Sequence, residues 1–296
     1  MAKTTDRAAL DTWYVVGRPE DITAAAGTYR TRLLGQDLEV RPVDGGYIVR
    51  EADAGGPSGD PLPVRIAYGH VWSTLGTPAR DLFPIDEFAE TDRRVATCGA
   101  VRVRASGLRL VENFLDMAHF PFVHTDILGA EEQPEVPKYD CEIRRDVDEV
   151  WATNCTFWQP QAAAHAEGGQ MTDYTYRVAT PFNVLLYKTC PSDQARMDVI
   201  ALFIQPVEED LSLAYAVVNV VDPVSTHTGI IHFQQMIFLQ DRIILENQRP
   251  RLLPLSPRAE TPTRADMSSI AFRRWLKEKG LRYGVFEKNE PIPSAA

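Results

Sequence analysis

The run Glu112-Asn113-Phe114-Leu115-Asp116-Met117-Ala118-His119-Phe120-Pro121-Phe122-Val123-His124 constrains this chain more than any other segment. It sets Asp116 and two histidines inside an otherwise apolar, aromatic stretch. Phe114, Leu115, Met117 and Ala118 predict a buried helix. Pro121 is expected to end it, because proline lacks the helical N–H and clashes with the preceding turn. Asp116 and His119 are three residues apart and share a helix face, which Asn113, three residues earlier, joins. His119 and His124 are five apart, about 500° of helical rotation, and would diverge on an unbroken helix. A break at Pro121 lets His124 fold back. Two imidazoles and a carboxylate converging in a dry pocket suit a mononuclear non-haem iron(II) site. The plain alternative is a pair of core histidines satisfied by their neighbours.

Such a site needs a carboxylate ligand, and Asp116 is better placed to hold an imidazole N–H from behind. The candidate is Asp241. Ile237, Phe238, Ile244 and Leu245 lie at minus four, minus three, plus three and plus four from it, so it sits amid the apolar face of a helix. A carboxylate there is costly unless paired or metal-bound. The competing explanations are a partner such as Arg249 or a partly exposed stripe.

The segment Asn113–His124, with Asp241 far downstream, resembles the catalytic domain of Rieske-type aromatic-ring-hydroxylating oxygenases. The resemblance implies that His119, His124 and Asp241 bind iron, and that Asp116 bridges His119 to the Rieske cluster of a neighbouring subunit. It places Asn113 near the iron. It also implies an α+β fold of the helix-grip type, in which a curved antiparallel sheet holds a long C-terminal helix. Residues 1–100 are then expected to be a truncated Rieske-like β region, and 101–296 the catalytic domain.

The family binds its [2Fe–2S] cluster through Cys-x-His and Cys-x-x-His pairs. Cys98, Cys141, Cys155 and Cys190 all stand more than three residues from any histidine or other cysteine. No cluster is therefore expected in this chain. The flanks of the cluster domain are still recognisable: Trp13–Arg18 and Arg32–Leu38 resemble its opening strands, and Tyr68–Trp72 its closing strand. A short stretch rich in Gly, Pro and Ala between Gly46 and Ile66 replaces the cluster loops.

At 296 residues the chain can bury a substantial core in one or two domains. No apolar run approaches the ~18 residues of a membrane span, and the N-terminus has no signal-peptide apolar region. A cytoplasmic location without membrane contact is expected. The net charge of −10 argues against nucleic acid as a partner. No Gly-rich nucleotide-cradling motif follows a strand, so NAD(P)H is expected to act only through a partner reductase.

Short strands are expected up to about Ala100, and a connector helix over Pro84–Glu90. Strands follow at Val150–Phe157, Asp173–Ala179, Val184–Thr189, Met197–Pro206 and Leu211–Val221, and a long helix runs from Ile230 to Gln248. His70 reads as a strand residue, His165 as a loop residue, and His227 and His232 as flanking the start of the long helix.

The resemblance implies a terminal oxygenase using Fe(II), O2 and electrons from a separate Rieske-cluster reductase, assembled as a homo- or hetero-oligomer. The block Leu253–Pro262 and Phe272–Leu276 resemble the demethylase-like branch, that of the methylxanthine demethylases. N-demethylation of a small planar heterocycle is the expected reaction. Hydroxylation or O-demethylation of an aromatic acid, and a non-catalytic assembly role, remain open. Ile237, Phe238, Ile244, Leu245 and Gln248 are the candidate substrate pocket. Neither Arg242 nor Arg109 is placed to face the iron, which favours a neutral substrate.

Overall fold

A computed structural model describes residues 3–166, 168–257 and 259–286. The N-terminal part contains α1 (Arg7–Leu10), β1 (Tyr14–Gly17) and α2 (Pro19–Ala24). A four-stranded meander follows, made of β2 (Tyr29–Leu33), β3 (Gln36–Val43), β4 (Gly46–Asp53) and β5 (Gly56–Leu62). The hairpin β6 (Val64–Ala67) and β7 (His70–Ser73) then pairs with β1 in a second small sheet. The stretch between Gly46 and Ile66 thus forms the β4–β5 hairpin and most of β6.

The expected connector helix at Pro84–Glu90 is a single 3-10 turn over Asp86–Ala89. Pro84 lies outside it, with its carbonyl accepting a hydrogen bond from Arg177 Nη1 at 2.8 Å.

Beyond this turn come β8 (Arg94–Val103), α3 (Gly107–Leu115), α4 (Phe120–Val123), β9 (Asp140–Arg144), β10 (Glu149–Gln159), β11 (Gln170–Thr180), β12 (Asn183–Cys190), β13 (Asp193–Glu208) and β14 (Leu211–Val220). The chain closes with α5 (His227–Asn247), β15 (Leu253–Pro254), α6 (Met267–Glu278) and β16 (Val285–Phe286). Strands β8 to β14 form one antiparallel sheet of seven strands in the order β8-β14-β13-β12-β11-β10-β9. The fold is α+β, as expected. Residue 100 falls inside β8, which pairs with β14, so this strand belongs wholly to the large sheet.

Both faces of that sheet are covered, so its central strands read as continuous apolar runs and not as alternation. On β13, Val199, Ala201 and Phe203 pack against Val15, Trp72, Phe83 and Ile85 of the N-terminal part. Leu202 and Ile204 face the opposite way, into a core shared with α3, α5 and α6. The Trp72 and Phe203 rings meet edge-on at 4.7 Å. Each such fully buried side chain contributes about 1.5–3 kcal/mol.

In β10 the buried positions switch parity, from Val150 and Ala152 to Cys155, Phe157 and Gln159. An extra residue absorbs the switch: the register slips between Ala152 and Cys155, where Asn154 has φ 56°. The bulge keeps Gln159 on the same face as α3 and α5.

Helix α5 begins three residues earlier than expected, because the Thr226 hydroxyl caps it by accepting from Gly229 N–H at 3.0 Å. It ends at Asn247, two residues before the Arg249-Pro250 step. Among the described residues no helix is long and apolar enough to cross a membrane.

Candidate metal centre

Helix α3 stops at Leu115, well before Pro121. Asp116 ends it, because its carboxylate captures the next free N–H groups. Oδ1 accepts from Ala118 N–H at 2.8 Å and Oδ2 from His119 N–H at 3.2 Å. Asp116 and His119 therefore meet through a turn and not along a helix face. Pro121 sits in the first turn of α4, where no helical N–H is needed, and this short helix carries the chain from His119 to His124. The imidazole centroids end 5.0 Å apart. Gly129 lets the following loop close on this turn, since a Cβ there would stand 2.7 Å from Pro121 N.

Asp241, in the fourth turn of α5, completes the group. Its Oδ1 lies 3.2 Å from His119 Nε2 and 3.0 Å from His124 Nε2. One donor atom from each of the three residues falls within 4.8 Å of the others. Both Nδ1 atoms are engaged from behind: that of His119 by Asp116 Oδ2 at 2.9 Å, that of His124 by Gln240 Oε1 at 2.8 Å. An oxygen acceptor at Nδ1 fixes the proton there and turns the Nε2 lone pair inward. Two lone pairs and a carboxylate oxygen crowded together require a positive centre, either a proton or a metal cation. Hence burial disfavours charge on His119, yet Asp116 and Asp241 more than offset it and carry its pKa up to about 9. Burial likewise opposes ionisation of Asp241, but its interactions with the neighbouring His119 and His124 rings bring it down to about 2. The donor set of two imidazoles and one carboxylate fits a non-haem iron(II) ion.

The site opens into a cavity between the large sheet and α5. Ile230, Phe233, Gln234, Ile237, Phe238 and Asp241 form one helical stripe along its wall. Of the expected pocket residues, Ile237 and Phe238 lie here. Ile244, Leu245 and Gln248 do not, because the cavity runs from Asp241 toward the N-terminus of α5. Ile244 is exposed, Leu245 is buried in the core, and Gln248 lines a second cavity. Asn113 borders both cavities, while Asp116 borders the second, with Arg109, Glu112 and Arg273. Arg109 is committed to Glu112 and Glu260, at 3.2 and 2.6 Å. Arg242 pairs with Glu246 at 3.2 Å.

Several lining residues had gone unnoticed in the sequence. Lys188 is a buried cation in the metal-facing cavity, beside Gln159, Asp198, Tyr174 and Tyr176. Gln240 lies one residue before Asp241, offset from the centre of the apolar face, yet its Oε1 reaches His124 Nδ1. His165 is a loop residue, as expected, but at the cavity wall, bonded to Asp222 Oδ2 at 2.9 Å and Ser192 Oγ at 3.0 Å. His70 is a buried strand residue whose Nδ1 lies 2.8 Å from the Tyr68 carbonyl oxygen. His227 and His232 are exposed on α5. Burial pushes the Cys98 and Cys155 thiols up to about 12, far from the thiolate form that ligates metals.

Comparison with known proteins identifies the family. Residues 103–282 match the family described as the vanillate O-demethylase oxygenase C-terminal domain. The chain is 46% identical to a probable methylxanthine N7-demethylase, NdmC, from Pseudomonas sp. (strain TJI-51), over 93% of this chain and 96% of that protein. In fold it is similar to NdmA of Pseudomonas putida CBB5 solved with caffeine, with a TM-score of 0.75, 17% identity and 92% of each chain covered. It is also similar to dicamba monooxygenase bound to dicamba, with a TM-score of 0.66, 14% identity, and 93% of this chain and 98% of that one covered. The chain belongs to the family of the vanillate O-demethylase oxygenase C-terminal domain and is an oxygenase of the Rieske type.

Proposed function

We propose that this chain is the terminal component of an N-demethylase that removes a methyl group, as formaldehyde, from a small planar nitrogen heterocycle such as a methylxanthine. The observation that carries the proposal is the convergence of His119, His124 and Asp241 at the end of a largely apolar cavity. These three residues would hold a single ferrous ion. The ion supplies the activation of dioxygen that hydroxylation of a methyl carbon requires. The choice of an N-methyl group rests on the 46% identity to a probable methylxanthine N7-demethylase.

The remaining roles fall to the chain's own side chains. Asp116 and Gln240 hold the two imidazoles in the ligating tautomer. Phe120, Ile237 and Phe238 exclude water and offer flat apolar walls to a ring. Electrons come from a Rieske-cluster reductase fed by NAD(P)H, because the four cysteines here lack any cluster-ligand spacing. Asp116 borders the second cavity and also bonds His119, so that face is where the reductase docks. Residues 1–100 fit a Rieske-like β region without its cluster part, and assembly into a homo- or hetero-oligomer fits a cluster donated across a protein boundary.

A second reading has one observation behind it. Lys188 is a buried cation in the cavity, which a carboxylate substrate such as an aromatic acid would use. The test is to incubate the protein with ferrous ion, a Rieske reductase and NADH, and to assay formaldehyde from methylxanthines. Formaldehyde from an N-methyl heterocycle supports demethylation. Its absence, with product formed from an aromatic acid, moves the assignment to the second reading.

A further inference from the structure

The floor of the metal-facing cavity consists of two rows of side chains running across the sheet. Strand register sets Tyr174, Lys188 and Asp198 side by side on β11, β12 and β13. The next row is Tyr176, Leu186 and Ile200. One row is thus polar and the other mainly apolar, under a helix wall that is chiefly Ile and Phe.

Among the described residues, three donors in this floor are left over after the protein's own hydrogen bonds are counted: one N–H of Lys188 and the hydroxyls of Tyr174 and Tyr176. Lys188 is 6% exposed, and its Nζ donates to Gln159 Oε1 at 3.0 Å and to the Ala162 carbonyl. An ammonium group has three N–H donors, so one remains. The Tyr176 hydroxyl, in a side chain 1% exposed, has no hydrogen-bond partner among the described residues. Buried polar groups without partners are rare in folded proteins, and at a cavity wall they point to a ligand. Burial lowers the Lys188 ammonium to about 8 against the attraction of Asp198, so it still carries its charge at neutral pH.

Asp198, the direct cross-strand neighbour of Lys188, offsets part of that charge from beyond ion-pair distance, and its own Oδ1 lies 4.0 Å from Arg93 Nη1. A carboxylate ligand would bring a second negative charge beside Asp198 into a buried space. A neutral carbonyl oxygen accepts the same hydrogen bond without that penalty.

We propose that Lys188 and Tyr176 are the substrate-reading residues of this cavity, donating hydrogen bonds to carbonyl oxygens on one edge of a flat ring. The pocket therefore selects a neutral, carbonyl-bearing N-heterocycle over the same ring without carbonyls and over an aromatic carboxylate. This rests on the N-demethylase reading and narrows its substrate class.

The experiment measures equilibrium binding of 7-methylxanthine, 7-methylpurine (the same ring lacking both carbonyls) and 4-methoxybenzoate to the iron-loaded protein, with formaldehyde release assayed in parallel. The wild-type protein is expected to prefer 7-methylxanthine to 7-methylpurine by at least about tenfold, the discrimination that one unpaired buried hydrogen-bonding group imposes. Tyr176→Phe removes a hydroxyl that has no partner in the protein, so the fold is preserved. It should weaken 7-methylxanthine several-fold and leave 7-methylpurine unchanged. Lys188→Met should do the same more strongly, and if that variant does not fold, Tyr176→Phe decides. Either variant that keeps the wild-type preference overturns the role of its residue, while formaldehyde release leaves the demethylase reading standing. Tight binding of 4-methoxybenzoate, lost in Lys188→Met, overturns the inference in favour of an acid. A wild-type protein that neither binds nor demethylates either ring overturns both readings.

Discussion

Asp116 Oδ2 lies 2.9 Å from His119 Nδ1 and also accepts from the His119 backbone N–H at 3.2 Å, so one carboxylate oxygen fixes both the ring and the chain of its neighbour. The same side chain borders the second cavity, outside the metal-facing one. Within the His segment it both orients the His119 imidazole and lines the second cavity, the face proposed above for reductase docking.

Asp116→Asn should therefore keep most of its iron and lose reductase-driven turnover by about 10–100-fold, the usual effect of removing a residue that orients a ligand. Peroxide-driven turnover bypasses the reductase and should fall much less. Equal losses by both routes would leave Asp116 as an orienting residue with no role in electron entry.

Gln240 plays the matching part for His124, with Oε1 2.8 Å from Nδ1. Gln240→Leu keeps the size of the side chain and removes the acceptor. Iron affinity is expected to fall about tenfold, measured by competition with a chelator, with little change in the thermal melt. Unchanged affinity would mean that packing alone orients His124.

The protonation of His119 predicts how metal uptake depends on pH. With its pKa raised from 6.5 to about 9, the apoprotein carries a proton where the ion would sit. Metal must displace it, so apparent affinity should rise about tenfold per pH unit between 6 and 8 and level off near 9. The stability of the apoprotein should move the other way. A folded-state pKa above the unfolded one stabilises the fold fully below 6.5, and that contribution is lost as pH climbs through about 9. Thermal melts of apoprotein at pH 6.5 and 9 check the sign, and Asp241→Asn should flatten the difference.

Gly129 supports the turn that carries both histidines. Adding a Cβ 2.7 Å from the Pro121 backbone nitrogen forces backbone to move, since no flexible side-chain end is there to yield. Gly129→Ala should cost about 1–3 kcal/mol, as overpacking does, by urea unfolding of the apoprotein, and should lower iron loading with it. A variant as stable and as iron-loaded as wild type would show that the loop can retreat without disturbing His119 and His124.

The convergence of His119, His124 and Asp241 was legible in the sequence because an acid in an apolar helical stripe, and two histidines in an aromatic run, are both costly without a purpose. The direction of the cavity was not. Around Asp241 the apolar period is symmetric, with Ile237 and Phe238 before it and Ile244 and Leu245 after. Only tertiary packing shows that the cavity follows the earlier pair. The end of α3 was misplaced because proline is the stronger breaker in sequence terms, whereas here the Asp116 carboxylate ended the helix by binding the following N–H groups. Lys188 and Asp198 were missed for a different reason. Strands β12 and β13 are covered on both sides, so they lack the alternation that tells an inward lysine from an outward one. The long helix was placed three residues late at its start because the cap signal of Thr226, whose hydroxyl accepts from Gly229 N–H, was not read.

The central claim is that His119, His124 and Asp241 hold one iron. Its most direct test is the iron content of protein reconstituted anaerobically with ferrous ion and freed of excess metal, for the wild type and for His119→Ala. The account predicts about one iron per chain in the wild type, as a three-ligand mononuclear site requires, and close to none in the variant. Iron near zero in the wild type, or undiminished in His119→Ala, would contradict it.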